Sequence, residues 1–173
     1  MKLETRRLIL RTPEEKDACT YTDIHNSKFV LRFNAMNPTT QERMAAKFQD
    51  PEYLNSTLFL EEKQTGKLIG AIFWEEDSLR WGVESRDLSY FIAEEYSCKG
   101  YMKEAMQAVI AYLFEAYSLD CVAARAFAPN AASRALLKSL GFQQNGIIPR
   151  CVKGYTGEIF DDVIHTLFPE NLK

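Results

Sequence analysis

Residues 87–117 constrain the fold of this chain more than any other stretch. Residues 88–93, Leu-Ser-Tyr-Phe-Ile-Ala, carry no charge and are dense in aromatic and aliphatic side chains, the composition of a buried strand. A polar turn follows over 94–99, and Gly100 opens a helix. In that helix Met102, Ala105, Met106, Val109, Ile110, Leu113, Phe114 and Tyr117 recur at i, i+3, i+4 and i+7, which makes one continuous apolar face. The pattern predicts a helix laid on a sheet, with a buried strand delivering the chain to its first turn. That first turn carries unpaired N–H groups and the positive end of the helix dipole, so it attracts anions such as phosphates. Lys99 and Lys103 add positive charge there, and Gly100 has no Cβ to hold a ligand off. Two readings stay open at this point: the amides of residues 99–103 bind an anion, or Gly100 merely makes the turn and the lysines are solvated.

A second strand–helix unit follows. Residues 121–128 read as another buried strand, stopped by Pro129. Residues 131–140 read as a short helix, with Asn130 as N-cap and Gly141 just beyond its end. Upstream, residues 8–11 form a first strand. Thr12 as N-cap, Pro13 at N1 and Glu15 as capping-box partner start a helix that runs to about residue 25. Thr39 and Glu42 repeat the capping-box spacing before a second helix containing Met44, Ala45 and Phe48. Strands over 57–62 and 68–74 are joined by a hairpin turn at Gly66, and Glu75, Glu76 and Asp77 follow as an acidic loop. A strand from Phe142 to Ile148 is interrupted by Pro149, and a last strand covers 159–168. The order predicts a mixed α+β fold.

No repeat, low-complexity tract or linker divides the chain, and 173 residues with 46% hydrophobic content suit one domain, 1–173. The net charge of −3 argues against a general nucleic-acid-binding surface, which needs a basic patch. No apolar run approaches a membrane span, the N-terminus lacks a signal-peptide core, and the expected location is the cytoplasm. Cys19, Cys98, Cys121 and Cys151 show no Cys-x-x-Cys spacing, and two histidines accompany them, so neither a metal site nor a disulfide framework is expected.

Two motifs in order carry a family resemblance. Ser97-Cys98-Lys99-Gly100-Tyr101-Met102, continued by Lys103-Glu104-Ala105, is similar to the pyrophosphate loop of the GNAT superfamily of N-acetyltransferases. Asn130-Ala-Ala-Ser133-Arg134, ending in Leu140-Gly141-Phe142, is similar to the helix that follows some thirty residues later in that family. The opening from Thr5 to Asp17 and the closing Asp162-Val-Ile-His-Thr-Leu167 resemble the branch that acetylates the N-terminal amines of ribosomal proteins (RimJ/RimL-like). The resemblance covers nearly the whole chain. It implies a central, mostly antiparallel sheet splayed between the fourth and fifth strands and flanked by helices.

It also implies acetyl-CoA as co-substrate and direct attack by a primary amine in a ternary complex. The pyrophosphate would meet the amides of Cys98, Lys99, Gly100, Tyr101, Met102 and Lys103. The pantetheine arm would pair like an added strand with the edge at Phe91, Ile92 and Ala93, and Asn130 would contact the arm. The thioester carbonyl would meet the Phe91 or Ile92 N–H, one oxyanion donor being worth ~3–4 kcal/mol. Arg134 meets a phosphate or lies exposed. Asp87 stands where the superfamily often has its base, and is otherwise a strand-entry residue beside Arg86. The usual general-acid Tyr is replaced by Leu137, which cannot donate a proton, and Ser133 is the nearby candidate for holding the sulfur or polarising a water, or is a structural helix-face serine. Met102 replaces a Gly or Ala, so its side chain could crowd the phosphate while its N–H remains available. Cys98, at a helix start beside Lys99, is in a setting that lowers a thiol pKa and favours oxidation.

Weak acid–base equipment favours an easily deprotonated acceptor, a protein or peptide N-terminus, over a small metabolite amine. A non-catalytic acyl-CoA-binding module is the competing class, and a pure interaction domain is a third. Homodimerisation is compatible with the sequence, which does not decide it.

Overall fold

The structure, a computed structural model, describes all residues 1–173. Its centre is an eight-stranded sheet in the order β1-β2-β3-β4-β5-β6-β8-β7, formed by β1 (Lys2–Glu4), β2 (Leu8–Arg11), β3 (Thr57–Glu62), β4 (Leu68–Glu76), β5 (Ser85–Ile92), β6 (Cys121–Phe127), β7 (Gln143–Lys153) and β8 (Ile159–Leu167). Every neighbouring pair is antiparallel except β5–β6, which is parallel. The fold is mixed α/β with a mostly antiparallel sheet, as the motif order implies. The strands expected as fourth and fifth are β5 and β6, because a short N-terminal strand precedes them.

Strand alternation divides the side chains into two layers. On one face α5 (Tyr101–Tyr117) and α6 (Ala131–Leu140) cover a core of 22 buried residues. Met102, Ala105, Met106, Val109, Ile110 and Leu113 of α5 are buried against Leu8, Leu58, Ile72 and Leu88, while Phe114 and Tyr117 lie half-buried at its border. On the other face α1 (Ala18–His25), α2 (Lys28–Leu31), α3 (Gln41–Lys47) and α4 (Pro51–Asn55) form a thinner layer. Its core is largely aromatic: Tyr21 stacks on Phe59 and meets Phe48 and Phe91 edge-on.

Several boundaries differ from the sequence expectation. The first helical turn is capped at Glu14 rather than Thr12, and its partner is Asp17, whose carboxylate accepts from the Glu14 N–H at 2.8 Å. Asp17 is drawn there by Arg11 of β2, at 2.7 and 2.9 Å, a tertiary contact that outweighs the local spacing. The next cap is Thr40, accepting from the Arg43 N–H, not Thr39. The segment after Phe142 does not stop at Pro149, because β7 is the sheet edge and a missing N–H on its open side costs nothing. The strand bulges instead, with a register shift between Ile148 and Val152 and Arg150 at φ +51°. Glu75 and Glu76 belong to β4 rather than to a loop, and Asp77 just beyond them is buried. Short β1, α2 and α4 carry too few residues for periodicity to reveal them.

Candidate active site

The turn between β5 and α5 presents a row of unpaired donors. None of the main-chain N–H groups from Cys98 to Lys103 has a protein acceptor. Two features curl the chain so that these amides converge. Gly100 sits at φ +78°, which L side chains rarely adopt, and Cys98 is also left-handed at φ +55°. Six free amides at the start of a 17-residue helix form a nest of the kind that suits an anion. Met102 does not crowd it. Its side chain is 7% exposed and belongs to the main core, so only its amide faces outward.

The structure adds a cation that the sequence reading missed. Arg7, in the turn between β1 and β2, donates from Nη1 to the Lys99 carbonyl at 3.0 Å and stacks 4.2 Å over the Tyr101 ring. Its Nε is held by Glu104 at 2.7 Å, and the same carboxylate accepts from Thr5 Oγ1 and the Arg7 N–H. Burial alone would raise the Glu104 pKa, but these bonds from Thr5 and Arg7 hold it below the usual carboxylate value. The opening Thr5-Arg-Arg-Leu was the signal, legible only as a family trait. Tyr101 turns its hydroxyl away from the nest to Glu62. Lys99 is exposed and Lys103 half-exposed beside the free amides.

Beyond the nest the sheet opens. β5 and β6 pair only from Ser85↔Cys121 to Leu88↔Ala124, whereas β5 continues to Ile92 and β6 to Phe127. In the antiparallel β4–β5 ladder alternate residues turn their amides to β4. The Ala93 N–H bonds the Ile69 carbonyl at 2.8 Å, and the Phe91 carbonyl lies against Gly70. The main-chain groups of Tyr90 and Ile92 are therefore the ones that face the gap. Of the three residues assigned to the open edge, Ile92 presents its amide there, while Phe91 and Ala93 spend theirs on β4. The Phe91 ring is buried under Tyr21 and His25.

Asp87 lies on β5 one residue before the strands part. It is 8% exposed and accepts from Arg125 Nε of β6 at 2.9 Å, so its partner is not the neighbouring Arg86. Arg125 also reaches Asp162 of β8, at 3.9 Å. Burial raises the pKa of Asp87, and Arg125 offsets part of that rise. Asp162 is raised for the same reason, with one carboxylate oxygen unpartnered. Glu75, opposite Asp87 on β4, and Asp77, paired with Arg80, face the same side. That side thus gathers the carboxylates Glu75, Asp77, Asp87 and Asp162 around the guanidiniums Arg80 and Arg125. No group of three or more His, Cys, Asp or Glu is disposed to hold a metal ion.

The other candidate side chains belong to α6. Asn130 caps this helix, its Oδ1 accepting from the Ser133 N–H at 3.2 Å. The Ser133 hydroxyl lies 2.7 Å from the Tyr90 hydroxyl, across the gap between α6 and β5. Tyr90 was not singled out from the sequence, where it reads as a strand aromatic. Leu137 is fully buried. Arg134 turns away from the nest, donating to the Ala128 carbonyl at 3.1 Å and reaching Gln144 at 3.5 Å. Asp87 and Ser133 are not brought together. Alternation along β5 sends Asp87 to the face of α1 and α3, and Tyr90 with Ser133 to the face of α5 and α6, with the gap between.

A site with an anion nest, an open strand edge and polar side chains on either side of a gap can grip an extended phosphorylated ligand and expose its tip from two directions. Residues 7–143 match the family model of the acetyltransferase (GNAT) domain. The N-acetyltransferase YoaA of Bacillus subtilis, itself uncharacterised, is 26% identical over 84% of this chain and 85% of that protein. The ribosomal-protein-S5-alanine acetyltransferase of Vibrio fischeri superposes with a TM-score of 0.86 at 20% identity, over 100% of this chain and 99% of that one. RimJ of Mycobacterium smegmatis, solved in complex with CoA-disulfide, superposes with a TM-score of 0.79 at 17% identity, over 94% and 82% of the two chains.

Proposed function

The chain belongs to the GNAT acetyltransferase family and is an acetyl-CoA-dependent N-acetyltransferase, and from that premise we propose that its acceptor is the α-amine of a protein or peptide N-terminus. In this reading the diphosphate of acetyl-CoA lies on the amides of 98–103 beside Arg7, Lys99 and Lys103. The pantetheine arm pairs with the free edge of Tyr90 and Ile92, and the thioester carbonyl accepts from the Ile92 N–H. The amine approaches from the side of Asp87, and the sulfur departs on the side of Ser133. Base and leaving-group partner act from opposite faces of one sheet, which suits direct attack without an acyl-enzyme.

One observation carries the choice of acceptor: the base on offer is a buried carboxylate already engaged by Arg125. Such a group deprotonates an α-ammonium of pKa ≈ 7.7–8.0 far more readily than a lysine near ≈ 10.4, a difference of roughly 3–4 kcal/mol. The excess of carboxylates over guanidiniums on that side favours a cationic acceptor. The relative acting on an alanine of ribosomal protein S5 supports the same class.

The test is thiol release from acetyl-CoA with peptides bearing free or blocked N-termini, lysine-containing peptides and small amines. Turnover is expected on free N-termini and falls at least tenfold in Asp87→Asn. Equal turnover on N-terminally blocked lysine peptides, or preference for a small amine, overturns the acceptor assignment. Full activity in Asp87→Asn overturns the base.

A further inference from the structure

The hydroxyl pair between β5 and α6 is a polar contact beside the open gap, and the roles assigned to the site so far do not account for it. Tyr90 lies on the stretch of β5 that has lost β6 as a partner, and its main-chain groups line the gap. Its ring packs at the border of the main core, and its hydroxyl reaches 2.7 Å to Ser133 Oγ. The Asn130 cap holds the Ser133 backbone, so the Ser133 side chain has a fixed origin and a single rotor.

We propose that Tyr90 is a positioning residue that acts through Ser133: its phenol donates to Ser133 Oγ and so aims the Ser133 hydroxyl hydrogen at the sulfur that leaves the acetyl group. A serine hydroxyl has one hydrogen and two acceptor sites. If the phenol occupies an acceptor site, the serine hydrogen is free for the gap, and its donor strength rises because its own oxygen is already accepting. If the phenol were the acceptor, the serine hydrogen would be spent on Tyr90. Burial pushes the Tyr90 pKa up to about 12, with the Ser133 hydrogen bond opposing it, so the phenol keeps its hydrogen at any pH at which the protein works. Nothing else on α6 substitutes, since Leu137 one turn on is apolar.

The step balances without a proton leaving Tyr90. The acceptor nitrogen forms its bond to the acetyl carbon, the carbon–sulfur bond breaks, and its electron pair goes to sulfur. The α-ammonium first gives one proton to Asp87 and from there to water, and after the attack the nitrogen loses its second proton by the same route. The thiolate, held by the Ser133 hydrogen, takes its proton from water on release. Tyr90 thus lowers the barrier to carbon–sulfur cleavage by strengthening one hydrogen bond to developing negative charge.

The inference rests on the site assigned above, and one measurement separates the two. The ultraviolet absorbance of the CoA thiolate, followed with pH in the complex of the full chain with free CoA, reports the ionisation of the bound thiol without any acceptor. The bound thiol is expected to ionise at lower pH than free CoA. Tyr90→Phe and Ser133→Ala are each expected to move it back up, and the double variant no further than Ser133→Ala alone. In turnover, Tyr90→Phe is expected to lower kcat about fivefold with KM for acetyl-CoA unchanged, and to have no effect in a Ser133→Ala background. The phenylalanine keeps the ring in the core, and a urea transition of unchanged steepness verifies the fold. A thiol ionisation that ignores Tyr90→Phe, or losses that add on top of Ser133→Ala, overturns the proposal. A shifted thiol in a wild-type protein that acetylates no amine supports it while overturning the acceptor assignment.

Discussion

Replacing Arg125 by Met isolates the electrostatics of the acidic face. Arg125 stands between two carboxylates that are nearly out of solvent, Asp87 with 10% and Asp162 with 4% of their side chains exposed. Removing one partner of a fully buried pair costs 3–5 kcal/mol, because the remaining charge has no compensation. The Arg125 side chain is itself 33% exposed, so water reaches the pair and replaces part of the lost interaction. A loss of about 2–3 kcal/mol at neutral pH is expected. Both aspartates already have pKa values raised above the ordinary 3.8 by burial. Without the guanidinium they rise further. A carboxyl whose folded pKa lies above its unfolded value binds more protons when folded, so stability falls as pH climbs from the unfolded toward the folded value. The penalty is complete above the folded pKa and is relieved on acidification through the window that opens at 3.8. Urea titrations of the wild type and Arg125→Met at neutral and mildly acidic pH measure it directly. The deficit should shrink as the pH falls, and Asp87→Asn in the Arg125→Met background should recover part of it. An equal deficit at all pH values would show that Arg125 contributes packing and not charge, and would refute the account.

Two further variants test other parts of the fold. Gly141→Ala should lose about 2–3 kcal/mol in urea, since the residue sits at φ +102° and a Cβ would lie 2.0 Å from the Asn171 carbonyl; an unchanged midpoint would show that the C-terminal turn is free to move aside. Arg7→Met should weaken CoA binding roughly tenfold by calorimetry and flatten its salt dependence, because it removes both a charge beside the nest and the bond to the Lys99 carbonyl; an unchanged salt slope would place the phosphates elsewhere.

The chain by itself determined whatever depends on short-range periodicity and caps. The apolar face of α5, the Asn130 cap and Gly141 terminus of α6, β2, β3 and the order of the longer strands and helices were legible because each is encoded within one or two turns of chain. So was the Gly-led turn into α5, a local pattern, although the sequence left open whether its amides bind an anion or merely make the turn. Only the tertiary structure decided what those elements meet. Asp87 pairs with Arg125 rather than Arg86 because β5 and β6 lie side by side in parallel, across 38 residues of sequence. Met102 turns inward because the core beneath α5 draws it. Arg7 reaches the nest across 92 residues, and Tyr90 meets Ser133 across 43. The two faces of β5 separate Asp87 from Ser133 by alternation, which is readable along a strand, but what covers each face is set by packing. Local sequence fixes which conformations are cheap, and long-range burial selects which side chains share a site, so chemistry assembled from distant strands became visible only once the sheet was closed.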